Sequence, residues 1–117
     1  MSKNVSEVSD QNFEKDVLQS EQPVLVDFWA QWCAPCRMLT PIVEAVAEQY
    51  EGSARVVKVN VDDSPAISQR YGIKGIPTLI VFKNGQEQER IVGATSKESI
   101  SRLIDKHLVS TNTAAVS

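Results

Sequence analysis

This chain predicts an α/β fold: a central mixed β-sheet of about five strands, flanked by about four helices. Three observations predict it. Strand-like apolar runs alternate with segments of helical periodicity in the order β-α-β-α-β-α-β-β-α. The run 23–30 is apolar on both faces, as a central strand covered on both sides must be. The Asn84-Gly85 pair is a two-residue turn that folds the last two strands into an antiparallel hairpin. Strands separated by helices and closed by one hairpin give a mixed sheet between helical layers. There is no internal repeat.

Each element has a local reason. Ser9 or Asp10 can cap a short helix carrying Phe13, Val17 and Leu18 on one side. After the strand 23–30, a second helix follows Cys33 and runs to Tyr50. Its residues Leu39, Ile42, Val43, Val46 and Ala47 recur at helical spacing as an inward stripe, and Pro41 inside it is expected to kink it. The run 54–61 alternates and reads as a strand, and 62–71 is a short helical connection with Pro65 near its start. Residues 78–82 form a strand, the Asn84-Gly85 turn follows, and 88–92 returns antiparallel. Thr95-Ser-Lys-Glu98 reads as a capping box opening a last helix that buries Ile100, Leu103, Ile104 and Leu108.

Composition narrows the function classes. With 117 residues, 42% hydrophobic and 23% charged, the chain is an ordinary globular one of a single domain, read as 1–108. The small, polar tail 109–117 is expected to be disordered. A net charge of −3 offers no basic footprint for nucleic acid or for an anionic membrane. The amino terminus lacks the apolar segment of a signal peptide, and no apolar run approaches the roughly 20 residues that span a bilayer. The chain is therefore read as cytoplasmic.

In that compartment a close cysteine pair is more often catalytic or metal-binding than structural. Both cysteines of the chain, Cys33 and Cys36, lie two residues apart at the strand-to-helix junction. At i and i+3 on a helix their side chains share a face, near disulfide reach. Closing so short a loop constrains the unfolded chain by only about 2 kcal/mol, against about 4 for a long loop. Such a bond is a weak staple and a good redox switch. Cys33 at the helix amino terminus is favoured as the thiolate by free N–H groups and the helix dipole. It is assigned as attacking nucleophile and Cys36, one turn in, as the less exposed resolving thiol. Pro35 between them stiffens the loop. Zinc would need four ligands, and His107 is the one histidine, far along the chain; covalent haem would need a histidine where Arg37 stands. No Gly-rich nucleotide fingerprint is present and no bound cofactor is expected.

The stretches Val26-Asp-Phe-Trp-Ala-x-Trp-Cys-x-Pro-Cys36, Pro41, Tyr71-Gly-Ile-x-Gly-Ile-Pro-Thr78, Phe82-Lys-Asn-Gly85 and Val92-Gly-Ala94 closely resemble the thioredoxin family in order and spacing, over about residues 5–108. The resemblance implies a thioredoxin fold and reduction of disulfides in target proteins. It also implies electrons supplied by a thioredoxin reductase, nicotinamide- or ferredoxin-linked; a monomer is expected. One departure is Ala34, where the family usually has glycine, which bears on redox potential and partner preference.

Asp27 interrupts an apolar strand, and a carboxylate buried there should have a raised pKa. On the residues alone it is either a core polar group tied to a partner or a functional one. The resemblance implies that it relays a proton to or from Cys36 and that Lys58 lies close to it. Asp27→Ala is then expected to stabilise the fold and slow disulfide exchange. Pro77 alone could mark a strand's first residue; the resemblance implies a cis Ile76–Pro77 bond facing the disulfide. It also implies a flat apolar partner-binding surface from Trp32, Ala34, Pro35, Gly75, Ile76, Gly93 and Ala94, although Gly93 reads equally as a turn glycine. Trp29 reads as packing beneath the site, and His107 as a solvated or capping side chain.

Two rivals share this fold. An oxidant or isomerase of this kind usually carries histidine between the cysteines, and Ala34-Pro35 supplies no such charge. A binding module would not need the cysteines at all.

Overall fold

A computed structural model describes residues 4–108. The elements are β1 (Val5–Glu7), a short helix (Glu14–Leu18), β2 (Val24–Trp29), α1 (Ala34–Gln49), β3 (Arg55–Asn60), α2 (Pro65–Arg70), β4 (Thr78–Lys83), β5 (Gln86–Val92) and α3 (Lys97–Lys106). This is the predicted order, element for element. The tail 109–117 lies outside the described residues.

The five strands form one sheet in the order β1-β3-β2-β4-β5. β1, β3 and β2 run parallel, and β4 and β5 run antiparallel to their neighbours. The central place of β2 is why its run is apolar on both faces. On one face Leu25, Val56, Leu79 and Val81 pack with Leu39, Val43 and Val46 of α1 and Ile100, Leu103 and Ile104 of α3. On the other, Val26, Phe28, Val57, Val59, Ile80 and Phe82 pack with Phe13, Val17 and Ile67. Burying each such side chain is worth about 1.5–3 kcal/mol. α1 runs unbroken through Pro41, which is exposed.

The hairpin forms where Asn84-Gly85 placed it. Both turn residues have positive φ, 55° and 79°, as this turn demands of its two central positions. β5 starts at Gln86, two residues earlier than the alternation suggests, because the two-residue turn pairs Lys83 directly with Gln86; a bulge follows between Val81 and Phe82.

Three local expectations are corrected. The short helix is wound widely enough for the Gln19 N–H to donate to the Glu14 carbonyl. Neither Ser9 nor Asp10 caps it: its N-cap is Phe13, with no side-chain hydrogen bond, and the Phe13 N–H donates to the Ser9 carbonyl at 3.0 Å while the Ser9 N–H donates to Asn12 Oδ1 at 2.8 Å. Asp10 instead reaches across to α2, where Oδ1 and Oδ2 accept from the Ile67 and Ala66 N–H groups at 2.9 and 3.1 Å. Asp10 therefore caps a helix whose N–H groups lie 56 and 57 positions further along the chain. The last helix is capped one residue later than expected: Ser96 Oγ accepts from the Ser99 N–H at 3.1 Å, with no Thr95–Glu98 box. We expect Ser96→Ala to cost about 1 kcal/mol in a denaturant titration and Thr95→Ala far less. The reverse order would restore the box. Finally, His107 ends α3 with its side chain 19% exposed and Nε2 3.7 Å from Glu89 Oε1, so it is held against β5 and not solvated.

Candidate functional site

The carboxyl ends of β1, β3 and β2 lie along one edge of the sheet, the edge where open α/β sheets place their ligands. β2 ends at Trp29, and a short loop delivers Cys33 to the start of α1. Cys33 is the N-cap: its backbone is extended (φ −92°, ψ 107°), and its Sγ accepts from the Cys36 N–H at 3.2 Å. A sulfur at this position receives a backbone donor and the positive end of a 16-residue helix. Pro35 takes an early helical position where a missing N–H costs nothing. Cys33 and Cys36 are joined as a disulfide with Cα atoms 5.3 Å apart. Cys33 is 5% exposed and Cys36 1%, so Cys33 is the one an incoming sulfur reaches first.

The loop before β4 faces this pair. The Ile76–Pro77 peptide is cis, and the Ile76 carbonyl oxygen lies 3.8 Å from Cys33 Sγ. Ile76 and Trp29 pack against the cysteines and Ala30. The Gly93 N–H donates to the Pro77 carbonyl at 2.7 Å, which ties the end of β5 to the same loop. Gly93 has φ +96° and open space where a Cβ would stand, so it is both a turn glycine and a bare stretch of backbone beside the site.

Around the disulfide, Trp32, Ala34, Pro35, Gly75 and Ala94 are exposed, and Ile76 and Gly93 half-buried. Trp32 is 67% exposed, yet its indole N–H donates to Asp62 Oδ2 at 2.9 Å, which fixes the ring beside the cysteines. Pro77 is buried behind this surface.

Two residues of this neighbourhood are not assigned to the site from the sequence. Asp62 reads there as the opening of a connection; nothing local links it to an indole 30 positions away. Val92 reads as a strand end, but it is 61% exposed, and a Cβ on Gly75 would come within 3.4 Å of its Cγ1. Its neighbours Gly93-Ala94, which carry part of the family resemblance, are the available signal for it.

Asp27 lies on the face of β2 that α1 covers, the face of Leu25. It is 1% exposed, and its Oδ1 has no hydrogen-bond partner among the described residues. Burial pushes its pKa from 3.8 up to about 7; the Lys58 charge pulls it down and the Glu7 charge raises it. Lys58 is the residue directly opposite Asp27 in β3, and its Nζ stands 4.1 Å from the centroid of the Trp29 ring. The structure thus brings Asp27 and Lys58 together one strand apart. Chemically the arrangement offers a disulfide poised at a helix terminus, an apolar rim, and, on the strand that leads to it, a buried carboxyl group whose pKa is pushed up to about 7. Among the described residues, no helix is long and apolar enough to cross a membrane.

The family model described as thioredoxin matches residues 4–106. The chain is 52% identical over 103 residues to Thioredoxin 1 of a Nostoc species, covering 88% of this chain and 96% of that protein. It is 48% identical over 105 residues to the thioredoxin of Porphyra purpurea, with 90% and 98% covered. It is also 48% identical over 101 residues to a rice protein, Thioredoxin M5, chloroplastic, covering 86% of this chain and 59% of that one.

Proposed function

Because the chain belongs to the thioredoxin family, we propose a division of labour within its redox pair: Cys33 attacks and Cys36 resolves. The protein is a thiol–disulfide oxidoreductase that reduces disulfides in target proteins and is itself re-reduced by a reductase. The observation that carries the division is the helix-capping geometry of Cys33, with the Cys36 N–H aimed at its sulfur.

The exchange runs in two displacements. The Cys33 thiolate attacks one sulfur of the target disulfide; a Cys33–target bond forms, and the other target sulfur leaves as a thiolate. Cys36 then gives its proton to the Asp27 carboxylate and attacks Cys33 Sγ. The Cys33–Cys36 disulfide forms, the second target sulfur leaves, and two electrons have passed to the target. Lys58 favours the ionised form of Asp27 and so helps it act as the acceptor. Trp32, Ala34, Pro35, Gly75, Ile76, Gly93 and Ala94 offer the apolar surface on which a target segment lies, shaped from beneath by Pro77. The pair and this surface come from one chain, which supports a monomer as the working unit. A cytoplasmic setting keeps such a pair cycling, although the rice relative is named as chloroplastic. The reductase is nicotinamide- or ferredoxin-linked.

The deciding experiment is the reduction potential of the pair, titrated in dithiol buffers and read by tryptophan fluorescence. A value well below the glutathione pool is expected, and each 30 mV is worth about 1.4 kcal/mol. A value above it would make the protein a disulfide donor on the same fold. Ala34→Gly, measured alongside, is expected to move the potential without moving it across that pool.

A further inference from the structure

Three strands place three charged residues in one line. In β1 and β3, Glu7 is directly opposite Lys58; in β3 and β2, Lys58 is directly opposite Asp27. Directly opposed residues of parallel neighbours share a face, so the row Glu7–Lys58–Asp27 crosses the sheet from its solvent edge to its centre. Glu7 is exposed and lines an open cavity of about 350 Å³ with Asn60 and Asp63, whereas Asp27 is buried. Among the described residues no ion pair within 4.0 Å commits Lys58 to either carboxylate; its ammonium rests over the ring of Trp29 in β2.

We propose that Glu7 is a positioning residue for the resolving half of the exchange, drawing on Lys58 from the side opposite Asp27 and so deciding how much of the lysine charge reaches Asp27. The inference rests on the reading of Asp27 as proton acceptor for Cys36. The Glu7 charge itself disfavours a second negative charge along the row, and an ammonium drawn toward Glu7 stands farther from Asp27 and favours its ionised form less. The directions agree. At Asp27, burial raises the pKa, Lys58 lowers it and Glu7 raises it. At Glu7, partial desolvation raises the pKa, Lys58 lowers it and Asp63 raises it. The remaining neighbours of Asp27 do not compete. β4 presents Leu79 opposite it, and on α1, which covers this face, Glu44 is half-buried and flanks the helix's buried stripe. Glu7 is thus the far carboxylate of the row, open to solvent.

The test is the titration of the Asp27 carboxyl carbon by NMR in the oxidised full chain, beside the pH profile of disulfide exchange. With Glu7→Gln the Asp27 midpoint should fall by roughly half a pH unit, about a threefold change in its acidity constant. The pH profile of the resolving step should move with it, at an unchanged limiting rate. Glu7→Asp should keep the wild-type midpoint. An Asp27 midpoint that does not move in Glu7→Gln overturns the role given to Glu7. A midpoint that moves while the exchange profile stays fixed overturns Asp27 as proton acceptor, and the catalytic role of Glu7 falls with it, leaving only a charge coupling across the sheet. Glu7 is exposed, so neither variant threatens the fold.

Discussion

Cys36→Ser is expected to leave the protein covalently attached to its targets. Cys33 can still attack a target disulfide, but no thiol remains to displace the target from its sulfur, so the mixed disulfide accumulates. Non-reducing electrophoresis of the variant incubated with a disulfide-bonded substrate should show the adduct, and a reductant should remove it. Cys33→Ser should form no such adduct and lose turnover by several orders of magnitude, because the remaining sulfur is 1% exposed and lies a turn inside the helix, away from the capping position. Adducts through Cys36 in the Cys33→Ser protein would reverse the assignment. A double serine variant that still restored the cellular function would replace the enzyme by a binding module.

Removing Asp27 is expected to strengthen the fold and slow its chemistry. The folded-state pKa, about 7, stands above the ordinary 3.8, so folding favours the protonated carboxyl. The folded state then binds more protons than the unfolded one between those values, and stability falls as pH rises from about 4 through about 7. Above that window the buried charge costs on the order of 4 kcal/mol, at about 1.4 kcal/mol for each pH unit that separates the two values. Asp27→Ala abolishes that cost, and also the unpartnered Oδ1, in exchange for a small cavity. A net gain of about 2–3 kcal/mol is expected at pH 8, shrinking toward pH 5, with a flatter dependence of stability on pH. Denaturant titrations at the two pH values measure it, and an alanine variant no more stable than the parent at pH 8 would contradict the burial argument. Exchange near pH 7 should slow roughly 10- to 100-fold, at or below the low end for a lost general base, because solvent can also take the thiol proton. Unchanged exchange kinetics at neutral pH would remove Asp27 from the proton pathway.

Much of this protein is legible in local pattern. The strand order along the chain, the burial of β2 on both faces, the stripe on α1 and the hairpin turn are all short-range consequences of apolar spacing and of turn chemistry. Two of the features that local pattern misplaces involve partners distant in sequence, and the third is a choice between adjacent caps. Asp10 reads as a cap for the helix it precedes, but its carboxylate is held by α2. Thr95 carries the better motif, and the chain starts its helix from Ser96. His107 looks like a helix end in solvent until β5 brings Glu89 to it. In each case a polar side chain has more than one possible partner, and packing chooses.

The sequence by itself determined the redox pair, its place at the head of a helix, and the strands and helices that follow one another along the chain, because these depend on spacing and contacts a few residues apart. Only the tertiary structure decided that Asp62 would fix Trp32, that Val92 would stand exposed beside Gly75, and that Glu7, Lys58 and Asp27 would fall into one row. Those relations depend on strand order and register, since a strand shifted by one residue turns every side chain to the other face. Register is set by the sum of the buried contacts across the sheet, and no single segment of the chain contains that sum.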